Sequence, residues 1–243
     1  MTGTRAPPLF PSSTRPNVEA PSPLPRPPPP LRSPPPPVNL TSECAPSKLG
    51  YQCATVKGKV TVHWSVNTSS APANPCTPSR RTVATAAALT KYGTLHMAVQ
   101  AEIGGYVSIG FLGRSLQYMF PADIVLGYAK PPTRYIQTFY AKSEALSEAD
   151  RSPPAGSAPW GYDMGVMQTS ANGVPTTTIC FSRRLSDNRT KASQSLNTSG
   201  GKLTPFIWAV STVDGFKEHA SSNRGGFYLD LGIAGAGGRG CGT

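Results

Sequence analysis

Between residues 60 and 231 the chain returns again and again to short segments with apolar side chains at every second position, and that period points the folded part of the chain to β-structure. Val60, Val62, Trp64 and Val66 share one face of a predicted strand, with Thr61, His63 and Ser65 on the other. Leu95, Met97 and Val99 repeat the pattern with His96 opposite. Gly105 to Phe111 predicts a strand with Val107, Ile109 and Phe111 inward. Asp123 to Tyr128 is a nearly continuous apolar run, as a central strand requires. Thr133 to Lys142 carries Tyr135, Thr138 and Tyr140, all strand formers. Tyr162 to Ser170 and Thr176 to Arg183 pair across a connection holding Asn172-Gly173, a hairpin dipeptide. Phe206 to Ser211 and Phe227 to Leu231 complete the set. Only Val83 to Leu89 and Ser143 to Asp150 read as helix. The expected fold is all-β, an antiparallel sandwich of 8–10 strands.

The amino end departs from this pattern. Residues 1–37 hold 15 of the 27 prolines, including Pro27 to Pro30 and Pro34 to Pro37, and no periodic apolar residues. Such a segment favours solvated polyproline II and buries too little surface to fold. It reads as a stiff spacer, with a matrix stalk as the functional alternative. A Cys-containing lead-in covers 38–56, the sandwich 57–232, and a Gly-rich flexible end 233–243. In that end Gly235-Ala236-Gly237-Gly238-Arg239-Gly240 matches G-x-G-x-x-G, but the dinucleotide site needs a βαβ unit around it and none is present.

The chain carries a net charge of +11. Its basic residues are scattered, with short pairs such as Arg80-Arg81 and Arg183-Arg184, and no basic stripe interleaved with aromatics. A nucleic-acid partner is therefore not expected; an acidic polysaccharide or acidic redox partner suits such a surface better. None of the five cysteines (Cys44, Cys53, Cys76, Cys180, Cys241) forms C-x-x-C, which leaves zinc and thioredoxin-like chemistry without its spacing. Four glycosylation sequons begin at Asn39, Asn67, Asn188 and Asn197. With the cysteines they place the chain on the secretory route, where disulfides form. Several pairings are open; Cys44 with Cys53, flanking a short polar loop, is favoured. No run approaches 18 apolar residues, so no transmembrane segment is expected. Met1 is followed by Thr, Gly, Thr and Arg rather than the apolar run of a signal peptide, so the chain is expected to be a piece of a longer product or a sequence with a misassigned start.

Two side chains stand out as ligands. Met119 precedes the central strand, and His219 lies in the polar stretch from Phe216 to Gly226. Taken alone, a Met beside apolar residues fills core space and a lone His in a polar stretch is solvated. His63 and His96 alternate away from the apolar face and read as surface residues. Asp123 reads as a turn carboxylate bonding backbone amides. Isolated histidines without H-x-H or H-E-x-x-H give zinc or copper little support.

Five landmarks change the weight of those two residues. Trp64 lies on an early strand. Gly105-Tyr106-Val107-Ser108-Ile109-Gly110-Phe111 follows, then Met119-x-x-Ala122-Asp123-Ile124-Val125-Leu126-Gly127. Next come Cys180-Phe181-Ser182-Arg183-Arg184-Leu185 and Ile207-Trp208-Ala209, then His219 and Arg224-Gly225. In this order they resemble the DOMON domain, the module first described at the amino end of dopamine β-monooxygenase. The resemblance is to its haem-binding branch, found in the cytochrome domain of cellobiose dehydrogenase and in plant proteins joined to transmembrane b-type cytochromes. It implies an immunoglobulin-like sandwich holding haem b, with Met119 and His219 as the axial ligands of the iron. It also implies one-electron exchange with a membrane b-type cytochrome or a small reductant such as ascorbate. Phe120-Pro121 depart from the family, which often has a small residue and Gly there. Met/His ligation fills both axial positions, so the module is expected to carry electrons at the cell surface or outside the cell and not to be an enzyme on its own. Val107, Ile109, Phe111, Ile207 and Trp208 are the expected hydrophobic wall. Arg224 is the expected partner of a propionate. The alternative is a haem-free DOMON domain binding a sugar or other small ligand, or a structural module of a wall or matrix protein.

Overall fold

The computed structural model describes residues 44–76, 91–116, 120–130, 133–143, 146–152, 160–216 and 219–236. The proline-rich segment, the helix expected over 83–89, Met119 and Cys241 lie outside them.

Ten strands form: β1 (Cys53–Lys57), β2 (Val60–Val66), β3 (Thr94–Ala101), β4 (Val107–Leu112), β5 (Ala122–Lys130), β6 (Thr133–Ala141), β7 (Tyr162–Ala171), β8 (Val174–Arg184), β9 (Leu203–Val210) and β10 (Arg224–Asp230). They build two five-stranded sheets, β1-β2-β3-β8-β7 and β10-β9-β4-β5-β6. Every pairing within them is antiparallel, as the alternation predicts. The Asn172-Gly173 dipeptide makes the β7–β8 turn, with φ of 53° and 79°; two successive left-handed residues match the twist of the hairpin. β1 has no counterpart among the strands expected from sequence: its five residues, four of them in the lead-in, give too short an alternation to read. At the other end, Gly232–Ala236 forms a helical turn, α1, and Ala234 enters the core.

One face of every strand meets the facing sheet. Trp64, Met97, Phe111, Phe181, Phe206 and Leu229 are each almost wholly removed from water between the sheets. Phe111 is the hub, with its ring centroid 5.2 Å from Phe206 and 5.9 Å from both Phe181 and Trp160.

The outer face of the first sheet is not the open surface that its polar residues suggested. His63 and His96 are 3% and 0% exposed, so both are buried rather than on the surface. The lead-in and the segment after β2 fold back over them: Tyr51 and Leu49 pack with Ala98, Cys76 and Cys180. Two disulfides fasten this cover, Cys44–Cys53 as favoured from sequence and Cys76–Cys180, which ties it to β8. His96 is satisfied inside it: Nδ1 is 2.6 Å from Ser182 Oγ and Nε2 is 3.0 Å from the Thr68 carbonyl. His63 is less well served, with Nδ1 2.8 Å from Ser47 Oγ and Nε2 buried without a partner among the described residues.

Burial pushes the His63 pKa down from 6.5 to about 4. An unfolded chain takes up this proton near pH 6.5, whereas the folded one refuses it until about pH 4. Stability is therefore full above the unfolded value and falls as pH drops through that window, by up to about 3 kcal/mol from this ring. Urea midpoints at pH 7 and pH 4.5 should show a steeper acid loss for the wild type than for His63→Gln; equal losses would remove His63 as the cause.

Candidate functional site

The outer face of the second sheet is also apolar. Strand register places Gly226, Ile207, Gly110, Ile124 and Phe139 in one row across all five strands. The neighbouring row runs Arg224, Ala209, Ser108, Leu126 and Gln137. Ile124, Leu126, Phe139 and Ile207 are buried although they point away from the sandwich interior. The centre of the row is low because Gly110 has no side chain: a Cβ there would lie 2.6 Å from Ile207 Cγ1, so that isoleucine leans across the glycine.

The described parts of two connections pack on this face, at opposite edges of the sheet. The β4–β5 connection, residues 113–121, reaches toward β10, where the Tyr228 hydroxyl accepts the Leu116 N–H at 3.3 Å and the Leu116 side chain sits over Gly226. The β9–β10 connection, residues 211–223, reaches the far edge of the sheet, where Phe216 packs edge-on against Phe139 at 5.3 Å and Tyr135 at 6.2 Å. Each ligand candidate comes three residues after one of these anchors: Met119 after Leu116 and His219 after Phe216. Phe120, on the other side of Met119, also packs on the face. The Phe120–Pro121 peptide is cis.

His219 is partly buried, and its Nδ1 is cut off from water with no hydrogen-bond partner among the described residues. A desolvated ring nitrogen without a partner costs about 1–3 kcal/mol unless a ligand, metal or proton acceptor completes the site. Arg224 opens β10 in the row beside Gly226, at the edge of the same face. Tyr128 and Tyr135 stack at 4.9 Å on the β5–β6 side. Burial, reinforced by the bond to Glu148, pushes Tyr135 up to about 12, so its phenol stays neutral. Among the described residues no three His, Cys, Asp or Glu side chains gather as a metal site.

The expected wall residues divide between the two faces. Ile207 lies on the outer one. Val107, Ile109, Phe111 and Trp208 occupy the interior, since residues of opposite parity on β4 and β9 face opposite ways. Beside the two connections stand Ile124, Leu126 and Phe139 instead. The continuous apolar run of β5 carried this information: a strand apolar at successive positions has both faces covered.

Asp123 does bond backbone amides, as the sequence suggested, but remote ones. Its carboxylate, fully buried, accepts from the amides of Lys191 (2.9 Å), Ala192 (2.9 Å) and Ser193 (2.7 Å) and from Ser193 Oγ (2.9 Å).

No family model matches the chain, and none of the curated proteins is similar to it. Solved structures are. The cytochrome b domain of pyranose dehydrogenase from Coprinopsis cinerea is 14% identical, over 75% of this chain and 83% of that one, with a TM-score of 0.44. The cytochrome domain of Myriococcum thermophilum cellobiose dehydrogenase is 12% identical, over 70% and 73%, with a TM-score of 0.39.

Proposed function

We propose that this chain is a b-type haem module of the DOMON kind, working in one-electron transfer outside the cell or at its surface. The observation that carries the reading is one apolar sheet face bordered by the described parts of two connections, with the half-buried His219, whose Nδ1 has no partner among the described residues, on one, and Met119 in the sequence of the other.

The residues present suit a porphyrin. The floor is a glycine flanked by isoleucines, and Phe139, Phe120 and Phe216 add apolar walls. The chemistry haem b would supply is a reversible one-electron change at iron. His219 and Met119 would hold its iron through nitrogen and sulfur, a ligand pair suited to an electron carrier. Ile124, Leu126 and Ile207 would exclude water and thereby tune the potential. Arg224, at the edge of the floor, would meet a propionate by charge-assisted bonds. The two disulfides support a secretory route. The electron partner would be a membrane b-type cytochrome or a small reductant such as ascorbate, and the basic surface favours an acidic one.

The test is the visible spectrum of the full chain produced with haem supplied, oxidised and then reduced. Sharp reduced bands of a six-coordinate b-type centre are expected, and His219→Ala should abolish them. A protein that takes up no haem, or a spectrum untouched by His219→Ala, would end the proposal.

A further inference from the structure

We infer that the buried chain Arg183–Ser193–Asp123 is the positioning device for the connection that bears Met119. The inference rests on the proposed haem reading for its functional meaning and on geometry for its structural content.

Residues 113–121 have two stems, and both rest on one turn of the segment between β8 and β9. The outgoing stem begins at Gly113, where a Cβ would come within 1.8 Å of the Ala192 carbonyl oxygen. The returning stem runs through Phe120 and Pro121 into β5, whose second residue is Asp123. Its carboxylate takes the three successive amides of 191–193 and the Ser193 hydroxyl, using essentially all of its acceptor capacity. A cleft of about 210 Å³ between stems and turn is lined by Gly113, Arg114, Phe120, Pro121, Lys191 and Ala192.

The turn is fixed from behind. Arg183, buried in the core, donates through Nη1 to Ser193 Oγ at 3.0 Å and through Nη2 to the Ser193 carbonyl at 2.8 Å. Ser193 Oγ thereby joins guanidinium to carboxylate. Thr190 Oγ1 tightens the same turn, donating to the Asp187 carbonyl at 2.6 Å and lying 3.1 Å from that of Ser193. The stems of the connection are therefore referenced to the core through one carboxylate. A sulfur that must stay on an iron needs such a reference, because a weak thioether bond is lost when its backbone drifts.

Asp123→Asn is the informative variant. Whichever oxygen becomes NH2, it meets backbone N–H donors, so donor faces donor with little change of volume. Two readouts are taken on the full chain. In the haem-free protein, amide exchange of residues 113–121 should rise at least about tenfold in Asp123→Asn and less in Ser193→Ala, with β2 and β3 unchanged. In the haem-loaded protein, Asp123→Asn should shift the reduction potential, mix five-coordinate with six-coordinate signals and weaken haem affinity about 10- to 100-fold. Unchanged exchange, or a wild-type potential and spectrum in both variants, would overturn the inference. If the wild type takes up no haem, the proposed function falls, while the exchange measurement still decides the positioning role. If Asp123→Asn does not fold, Ser193→Ala, which deletes one hydroxyl, decides it.

Discussion

Arg183→Ala should destabilise the protein by about 3–5 kcal/mol, the range for removing one partner from a buried charge network. The side chain is fully buried, with its guanidinium carbon 4.6 Å from the ring centre of Phe111 and 5.2 Å from that of Trp160. Its Nε donates to the Arg184 carbonyl at 3.1 Å, and its two terminal nitrogens hold Ser193. Burial lowers its pKa to about 10, with Asp123 and Asp187 pulling the other way, so it stays charged at neutral pH. Alanine would open a cavity beside the aromatic hub, remove the guanidinium donors from the Ser193 carbonyl and hydroxyl and leave Asp123 without its nearby cation. Arg183→Met, which refills the volume but not the hydrogen bonds, should lose less, about 1–3 kcal/mol. Urea unfolding of the three proteins measures this, and a loss below about 1 kcal/mol for alanine would show that the cation is not what secures the network.

The same residue shows where the sequence stops being legible. Arg183-Arg184 reads as a short basic pair on a strand, and charge alone says surface. Parity says otherwise: Arg183 shares its side of β8 with Ile179 and Phe181 and must enter the interior. The strands themselves were readable because alternation is a local property. The nine strand segments read from sequence coincide with β2 to β10 apart from boundary shifts, Tyr162–Ser170 and Thr176–Arg183 forming the predicted hairpin. Whether the second face of a sheet is covered depends on which distant segment folds over it, and alternation is silent about that. His63 and His96 were misread for this reason: the cover comes from the lead-in and a disulfide partner 104 residues away.

The candidate site was legible to a similar depth. Resemblance singled out His219 and Arg224, and the structure sets them on the connection and strand that border one apolar face. Of the wall residues it named, Ile207 lies on that face, whereas Val107, Ile109, Phe111 and Trp208 belong to the core, because strand parity alone does not say which side meets the second sheet. That the outer face is a second apolar surface emerges only from contacts such as that of Phe216 with Phe139 on β6, residues 77 positions apart in the chain (139 and 216). The Asp123 seat had no local signal beyond an aspartate at a strand entry, since its amides lie 68 to 70 residues away.

Gly113→Ala is the second large effect. The added methyl would meet a backbone carbonyl at 1.8 Å, and backbone on both sides cannot yield as a flexible side chain would. Either the 191–193 turn lifts off Asp123 or the start of the β4–β5 connection is pushed outward. Overpacking against rigid structure costs about 1–3 kcal/mol, and exposing the buried carboxylate adds to it, so a loss of about 3 kcal/mol or more is expected. The matched control is Gly173→Ala: nothing lies within 4 Å of its Cβ, but its φ is +79°. That variant should cost about 1 kcal/mol, through backbone strain alone, far from the site. On the proposed haem reading, Gly113→Ala should also weaken haem retention, whereas Gly173→Ala should not, because only the first displaces a stem of the Met119 connection. Equal haem retention in the two, at their measured stabilities, would separate the packing of Gly113 from the site and confine its role to folding.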